Sequence, residues 1–415
     1  MDDEKRGMPE QARRQGRLRV QCDGERSVRM SDEARSAVVG GLEGVVAAET
    51  RLSSVDGQAG ELIIAGFPVE ELASRASFEE TIYLLWHDTL PNPEQLSDLR
   101  EALAARRPLP QPTLELLRAA ASEKVPTMDA LRMVAGTVNL GAPDDTFAQD
   151  GSYGDALALV ASFPTIVAAY WRLSNGEEPV KPDLELGHAA NYLYMLFGQA
   201  PGEESARAVE TYINTVVDHG LNASTFAARV IVSTQSDLIS AVVGAIGALK
   251  GPLHGGAPGP ALELVFEIGE ASRAEAYLRE KVERGDRLMG FGHRVYKVRD
   301  PRADVLATAA RRLYATEADQ ALYELAQEVE KTAVALLAEY KPGRNLQTNV
   351  EFYTALLLHG LELPTDLFTP TFAVGRVGGW TAHCFEQQAL GRLIRPQSVY
   401  VGPRDLQWTP LEERA

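Results

Sequence analysis

The chain has 415 residues and a formal net charge of −17, from 41 basic and 58 acidic residues. This length exceeds what one ordinary core needs and predicts two domains. Hydrophobic residues make up 45% of the chain, which excludes wholesale disorder. The acidic balance disfavours nucleic acid as the principal partner, because phosphate backbones attract extended positive patches.

Cysteine content and the terminal sequence bear on location. Cys22 and Cys384 are far apart and have no metal-binding spacing, which is typical of a reducing compartment. The charged residues at the N-terminus are not followed by the apolar core of a signal peptide. No apolar run approaches the ~18 residues of a membrane span. We therefore expect a cytoplasmic protein with no membrane partner.

The first elements along the chain are an extension and a hairpin. Residues 1–38 are polar, charged and aperiodic, and we expect them to be poorly ordered. Residues 49–57 and 61–66 are short runs separated by a turn that contains glycine, which predicts a β hairpin. The segments after this hairpin are helical in period.

Three later segments carry strong helical patterns. Residues 155–173 are apolar almost all round and predict a buried helix, with Pro164 near a break or kink. Residues 224–249 are rich in small side chains and predict a helix pair at the centre or at a subunit interface. Residues 319–340 place an apolar stripe on one face and predict a helix that ends before Pro342. The expected fold class is all-α with a minor N-terminal β hairpin.

Two histidine segments framed by glycine carry the strongest functional signal. They are Gly-Pro-Leu-His-Gly-Gly-Ala around His254 and Gly-Phe-Gly-His-Arg-Val-Tyr-Lys around His293. Glycines at such bends let the backbone approach a ligand closely. Four basic side chains follow the second histidine within nine positions: Arg294, Lys297, Arg299 and Arg302. This local positive charge on an acidic protein predicts a site for an anionic ligand.

These segments resemble the motifs of the citrate synthase family. Asn-Val-Glu-Phe-Tyr around Glu351 and the closing Arg395-Pro396 also match, in the family's order and approximate spacing. The resemblance extends from about residue 40 to the C-terminus. It implies condensation of acetyl-CoA with oxaloacetate and water to give citrate and CoA, a reaction of the tricarboxylic acid cycle.

The resemblance also implies a domain organisation. Residues 39–257 and 366–415 would form a large helical domain, and residues 258–365 a smaller helical domain inserted into it. In the family the active site lies in the cleft between these domains, which closes on the substrate.

Three residues match the family's catalytic positions. The reaction needs a base for the thioester methyl, a donor to the enolate oxygen and a group that polarises the ketone. Glu351 matches the base, although the family usually has aspartate there, so the carboxylate carries one extra methylene. His254 matches the donor and is expected to be uncharged, because the helical segment 260–268 follows it and a helix N-terminus disfavours imidazolium. His293 matches the group at the ketone.

The oxaloacetate side resembles the family less completely. His219 matches a second histidine on the ketone side. The family commonly has a histidine where Val216 stands and a glutamate where Gly220 stands, so the support of His219 must differ here. The resemblance implies that three further residues support the site: Asn222, Ser224 and Phe372. Ser224 is expected to form a hydrogen bond with the His254 ring.

Basic residues match the family's substrate-binding positions. Arg302, Arg376 and Arg395 match its carboxylate-binding arginines, and a guanidinium grips a carboxylate bidentately. Arg395 is expected to complete the site of the neighbouring subunit, which implies a homodimer. Acetyl-CoA is expected as a co-substrate, with no permanently bound cofactor and no metal. Four residues are expected to contact CoA: Arg294, Lys297, Lys341 and Arg344.

Three alternatives remain open. A metal hydrolase that uses the histidines and Glu351 is conceivable, but the spacing contains no specific metal motif. A 2-methylcitrate synthase would use propionyl-CoA with the same residues, and one methyl group is worth only ~1–3 kcal/mol of discrimination. A weakly active paralogue that binds CoA or oxaloacetate for regulation is suggested by Glu351, Val216 and Gly220.

Overall fold

The computed structural model describes residues 40–414 except 141–151, 256–257, 294 and 315–316. Over these residues the fold is helical with one small sheet, which confirms the predicted all-α class. The predicted extension, residues 1–38, lies outside the described residues. The α-helices are α1 Val69–Arg75, α2 Phe78–His87, α3 Pro93–Ala104, α4 Gln111–Ser122, α5 Thr127–Ala135, α6 Ser152–Ser174, α7 His188–Phe197, α8 Glu203–Thr215, α9 Ala223–Val232, α10 Leu238–Leu249, α11 Pro258–Ile268, α12 Ala271–Glu283, α13 Pro301–Leu313, α14 Glu317–Tyr340, α15 Val350–Gly360 and α16 Phe368–Leu390.

The sheet lies just before α1. Strands β1 (Ser53–Asp56) and β2 (Glu61–Ile64) form an antiparallel pair, which confirms the predicted hairpin. A third short strand, β3 (Phe67–Pro68), pairs with β2. It was not predicted, because a strand of two residues is too short to show any period.

Helix α6 lies in the core. Its residues 156–170 are all buried, as predicted from its apolar sequence. The helix is continuous through Pro164, so the predicted break is wrong, and a kink there stays a prediction. Proline removes one backbone hydrogen bond, but α4, α5, α7 and α16 pack around this helix and tertiary packing overrides local propensity. Helix α6 is also long and apolar enough to span a membrane, yet 83% of its most apolar window is buried within the protein, which is typical of a core helix.

Helices α9 and α10 are the predicted pair rich in small residues. They pack so closely that a Cβ added to Gly244 on α10 would lie 2.2 Å from Cδ1 of Ile231 on α9. Both helices also contact α16. A role of this pair at a subunit interface stays a prediction. Helices α9 and α16 both supply side chains to the site described below.

Helices α11 to α15 lie in the range predicted to form the smaller domain. Here α12 packs on α14, and α13 packs on α15. Helix α14 buries the predicted stripe at Val329, Ala333 and Leu336. Because α13 also packs on α8, outside this range, the predicted boundaries at residues 258 and 365 stay a prediction.

By its internal contacts the chain divides into two compact units. The larger unit, residues 49–394, contains the sheet and helices α1 to α16. The other unit comprises residues 1–48 and 395–415, of which 40–48 and 395–414 are described. Arg395 belongs to this second unit and is exposed there.

Candidate active site

A cavity of about 380 Å³ lies within the larger unit. Its walls come from the end of α8, the turn before α9, the bend after α10, the loop before α13, and residues of α15 and α16. Leu253 on its wall is 99% exposed. Eight of the predicted site residues line the cavity: His219, Asn222, His254, His293, Arg302, Glu351, Phe372 and Arg376.

His254 lies in the bend after α10 and is held by side chains of two helices. Its Nε2 atom is 2.8 Å from Oγ of Ser224, the second residue of α9. That Oγ accepts a hydrogen bond from Nε1 of Trp380 (3.0 Å) and is 2.8 Å from Oδ1 of Asn222. Burial, and then the positive charge of Arg376, lowers the pKa of His254 to about 4. The ring is therefore uncharged at neutral pH, which agrees with the sequence-based expectation.

His293 is held by the backbone of its own loop. Its Nδ1 accepts hydrogen bonds from the backbone N–H groups of Val295 (3.0 Å) and Tyr296 (3.1 Å). A nitrogen that accepts cannot carry the proton, so the neutral ring has its N–H at Nε2. Burial, and then the charge of Arg302, lowers the pKa of His293 to about 4. This histidine is therefore a neutral donor through Nε2.

His219 lies next to His293, with their ring centroids 5.8 Å apart. Its Nε2 is 3.1 Å from the hydroxyl oxygen of Tyr296. Burial lowers the pKa of His219 well below its usual value, and Arg302 and Arg376 add to this effect. Two uncharged imidazoles therefore share one side of the cavity.

Glu351 is the second residue of α15. Its side chain lines the cavity, and its Oε2 atom is buried without a hydrogen-bond partner among the described residues. Burial raises the pKa of this carboxyl group, and the charge of Arg302 opposes the rise. Glu351 therefore presents a carboxylate to the cavity that is shielded from water.

Arg302 is paired inside the protein. Its Nε and Nη2 atoms donate to the two carboxylate oxygens of Asp300, at 3.0 and 2.7 Å, and both residues are buried. Burial disfavours the charge of Arg302, but Asp300 outweighs it, and the pKa is raised. Asp300 thus fixes the plane of this guanidinium at the cavity wall.

Arg376 has no such carboxylate partner among the residues that the structure describes. Its Nε donates to the backbone carbonyl of Val216 (2.5 Å), and its Cζ lies 4.7 Å from the ring centroid of Phe372. Its Nη1 is buried with no hydrogen-bond partner in the described part of the chain, and burial lowers its pKa to about 10. An unpaired buried guanidinium donor on a cavity wall is suited to an anionic ligand.

Three of the predicted CoA-binding residues, Lys297, Lys341 and Arg344, do not line this cavity. Lys297 and Arg344 are exposed and Lys341 is half-buried. The amide nitrogen of Asn345 donates to the carbonyl of Lys297 (2.5 Å), so the two basic segments lie side by side. Arg294 lies outside the described residues.

Sequence reasoning missed four residues of the site. Tyr296 contacts both ketone-side histidines, and its position within the His293 motif could have indicated it. Asn349 donates to the carbonyl of Gly292 (3.1 Å), and its Oδ1 is buried and unpartnered in the described structure. The side chains of Tyr212 and Arg287 also line the cavity, and no local sequence signal marks either of them.

Metal ligands do not converge in the described ranges. Among those residues, no group of three His, Cys, Asp or Glu side chains could hold a metal ion. The metal hydrolase considered from the sequence therefore has no ligand set within the part of the chain that the structure describes.

Comparison with known proteins gives one family. A model described as the citrate synthase C-terminal domain matches residues 41–397. A citrate synthase of Haloferax volcanii is 41% identical over 90% of this chain and 98% of its own length. A 2-methylcitrate synthase of Mycobacterium tuberculosis is 38% identical over 89% of this chain and 92% of its own length.

The fold agrees with this result. The crystal structure of citrate synthase from Pyrobaculum aerophilum has a TM-score of 0.84 and 39% identity, and the match covers 91% of this chain and 95% of that one. A matching family model, full-length relatives and a matching fold together show that the chain belongs to the citrate synthase family.

Proposed function

We propose that the protein condenses acetyl-CoA with oxaloacetate and water to give citrate and CoA, through the cavity between α8, α15 and α16. The observation that carries this proposal is the shared lining of that cavity. The cavity is lined by the shielded carboxylate of Glu351, by three neutral imidazoles and by Arg376, whose Nη1 has no hydrogen-bond partner among the described residues. An acyl donor and a diacid need these groups together.

Glu351 takes the first proton. One C–H bond of the acetyl methyl breaks, its proton goes to the Glu351 carboxylate, and its electron pair forms the C=C bond of an enolate. Burial supports this step, because a raised carboxyl pKa makes Glu351 a stronger base at neutral pH. The same burial keeps water from competing for the proton.

His254 stabilises the enolate oxygen. Ser224 has one hydroxyl proton, which can go to Nε2 of His254 or to Oδ1 of Asn222. The 2.8 Å contact places it toward Oδ1 of Asn222, which can only accept. For catalysis we assign it to His254, with Oδ1 of Asn222 left to the backbone N–H of Thr225, so that Nδ1 of His254 carries the ring proton and can donate to the thioester oxygen. A neutral donor stabilises developing negative charge without becoming a strong acid.

His293 acts at the ketone. The C=C pair of the enolate forms the new C–C bond with the ketone carbon of oxaloacetate, and the thioester C=O re-forms. The π pair of the ketone moves to its oxygen, which takes a proton from Nε2 of His293, and the methyl proton held by Glu351 then restores the neutral ring. The N–H at Nε2 of His293 is the donor that the loop geometry supplies. Water then cleaves the thioester of the condensed product to give citrate and CoA.

Charged groups hold the two substrates. Arg302 and Arg376 bind the carboxylates of oxaloacetate, with His219 at its ketone side. The bases Lys297, Lys341 and Arg344, together with Arg294, bind the phosphates of CoA. Arg395 completes the site of a neighbouring subunit in a homodimer. The domains at the predicted boundaries close over the substrates, and the protein works in the cytoplasm in the tricarboxylic acid cycle.

A citrate-forming assay with acetyl-CoA and propionyl-CoA side by side tests the function. We expect a higher kcat/KM with acetyl-CoA. A higher value with propionyl-CoA would make the protein a 2-methylcitrate synthase, the activity named for the relative that is 38% identical. Binding of both acyl-CoAs without turnover would indicate a regulatory paralogue and contradict the proposal.

A further inference from the structure

The β1–β2 hairpin contacts both sequence neighbours of His219. The hydroxyl of Ser53 on β1 donates to Oδ2 of the Asp218 side chain (2.5 Å). Oγ of Ser53 in turn accepts a hydrogen bond from the backbone N–H of Gly220 (2.8 Å). Because Asp218 and Gly220 flank His219 in sequence, one serine hydroxyl fixes the turn that presents this ring to the cavity.

The other end of the hairpin contacts the loop that holds His293. The carbonyl of Gly57, just after β1, accepts a hydrogen bond from the backbone N–H of Lys297 (2.7 Å). A Cβ added to Gly57 would lie 2.2 Å from the carbonyl oxygen of Val295, so this approach requires glycine. Val295 is one of the two residues whose N–H groups hold Nδ1 of His293.

Asp218 joins the hairpin to a buried network. Its Oδ1 is 3.1 Å from Nε2 of His383, and Nδ1 of His383 is 3.1 Å from Nη1 of Arg229. The arginine can only donate, so Nδ1 of His383 accepts and Nε2–H donates to Asp218. Asp218, His383 and Arg229 are buried, and the hydroxyl of Ser53 is the link from the hairpin to them.

His219 lacks polar side chains at the two positions, 216 and 220, where the family commonly has them. Val216 and Gly220 have no side-chain hydrogen bond to offer, and Gly220 has a φ of +59°, a conformation that L side chains rarely adopt. In the structure, the hydrogen bond from Gly220 to Ser53 of the hairpin and the one between His219 and Tyr296 support this histidine instead.

From these contacts we infer that the β1–β2 hairpin is the positioning element for both ketone-side histidines. Ser53 sets the turn of His219, and Gly57 sets the loop of His293. The inference rests on the proposed roles of these two histidines in oxaloacetate binding and activation. It adds Ser53 and Gly57 as positioning residues that do not touch the substrate.

Ser53→Ala tests the inference, with Ser54→Ala as the matched control. Ser54 is the next residue of the same strand and is exposed, whereas Ser53 is half-buried. We expect Ser53→Ala to lower kcat/KM for oxaloacetate about tenfold to a hundredfold, because a displacement of ~1 Å at a reacting group costs on the order of a hundredfold. The KM for acetyl-CoA should stay within about twofold, because in the described structure no direct hydrogen bond joins the hairpin to Ser224 or Trp380, which hold His254.

Two further variants distinguish a loss of histidine positioning in Ser53→Ala from a general loss of stability. Ser53→Thr keeps a hydroxyl and should recover most of the lost kcat/KM, while Ser54→Ala should behave as wild type. If Ser53→Ala does not fold, Gly57→Ala carries the test from the other end, with the same selective loss for oxaloacetate.

Three results would overturn the inference. Equal kinetics for Ser53→Ala and Ser54→Ala would show that the hydroxyl does not position His219. A KM for acetyl-CoA that changes as much as the KM for oxaloacetate would show a general effect on the fold and not a selective effect on the ketone side. A wild-type protein that forms no citrate would remove the proposed function itself, which the wild-type assay reports separately from the variants.

Discussion

The two imidazole sides of the cavity are built differently. His254 is oriented by side chains of two core helices, through Ser224 on α9 and Trp380 on α16. His293 is oriented by backbone N–H groups of its own loop, and that loop rests on a hairpin. Side-chain support can be removed by one substitution, whereas backbone support yields only to changes that move the chain. Five predictions follow, and the proposed base, which serves both sides, comes first.

Glu351→Gln should cause the largest loss, on the order of a thousandfold in kcat, because an amide cannot accept the methyl proton. Oxaloacetate binding should be nearly unchanged, since the arginines and histidines remain. Single-turnover kinetics and isothermal titration calorimetry measure the two quantities. Glu362→Gln, an exposed residue after α15, is the control, and turnover retained in Glu351→Gln would exclude this residue as the base.

Arg376→Ala should raise the KM for oxaloacetate on the order of a hundredfold, because a charge-assisted contact to the substrate is lost from a buried site. Arg376→Lys should recover little, since an ammonium group cannot reproduce the planar fork. Steady-state kinetics with oxaloacetate varied measures the effect. An unchanged KM in Arg376→Ala would remove this residue from the substrate site.

The same variant tests the predicted dimer. In an equal mixture of Arg376→Ala and Arg395→Ala subunits, half of the dimers are mixed, and each of these holds one intact site. The mixture should therefore show about a quarter of the wild-type activity if Arg395 acts across the subunit interface. No recovery after subunit exchange would contradict that arrangement.

Ser224→Ala should lower kcat about tenfold, because His254 loses the hydroxyl that fixes its tautomer. The KM for oxaloacetate should change less than about twofold, the opposite of the result expected for Ser53→Ala. Steady-state kinetics on both variants, with each substrate varied in turn, compares the two sides directly. If Ser224→Ala instead weakened oxaloacetate binding, the side-chain support of His254 would not be separate from the ketone side.

The pH profile should show the smallest change. The pKa values of His254 and His293 are lowered to about 4, so both rings stay neutral from pH 8 down to about pH 5. The raised pKa of Glu351 means that the base is lost as pH falls through that value. We expect kcat/KM to fall on the acid side in a single step set by Glu351. Two acid steps would show that an imidazole also titrates during turnover.

The sequence was most informative where a motif is continuous. The bends at His254 and His293, the start of α15 at Glu351 and the hairpin all depend on local glycine or turn chemistry that neighbouring residues reveal. Arg376 could be recognised because a charged residue stands alone in an apolar run. Each of these side chains was therefore predictable together with its local structure.

Support from distant segments was not predictable. The hydroxyl of Ser53 reaches Asp218 across 165 positions of the chain, and Arg287 reaches the cavity only through the fold. Helix α6 remains continuous at Pro164 because its neighbours pack around it, which a local propensity cannot show. Local motifs and the family resemblance therefore predicted the candidate site residues, and tertiary contacts decided what holds them.

Leu253 gives the cavity wall an apolar side chain that water surrounds almost completely. A ligand that covers this side chain releases its hydration water, which contributes a negative heat-capacity change to binding. The favourable enthalpy of association therefore grows as the temperature rises.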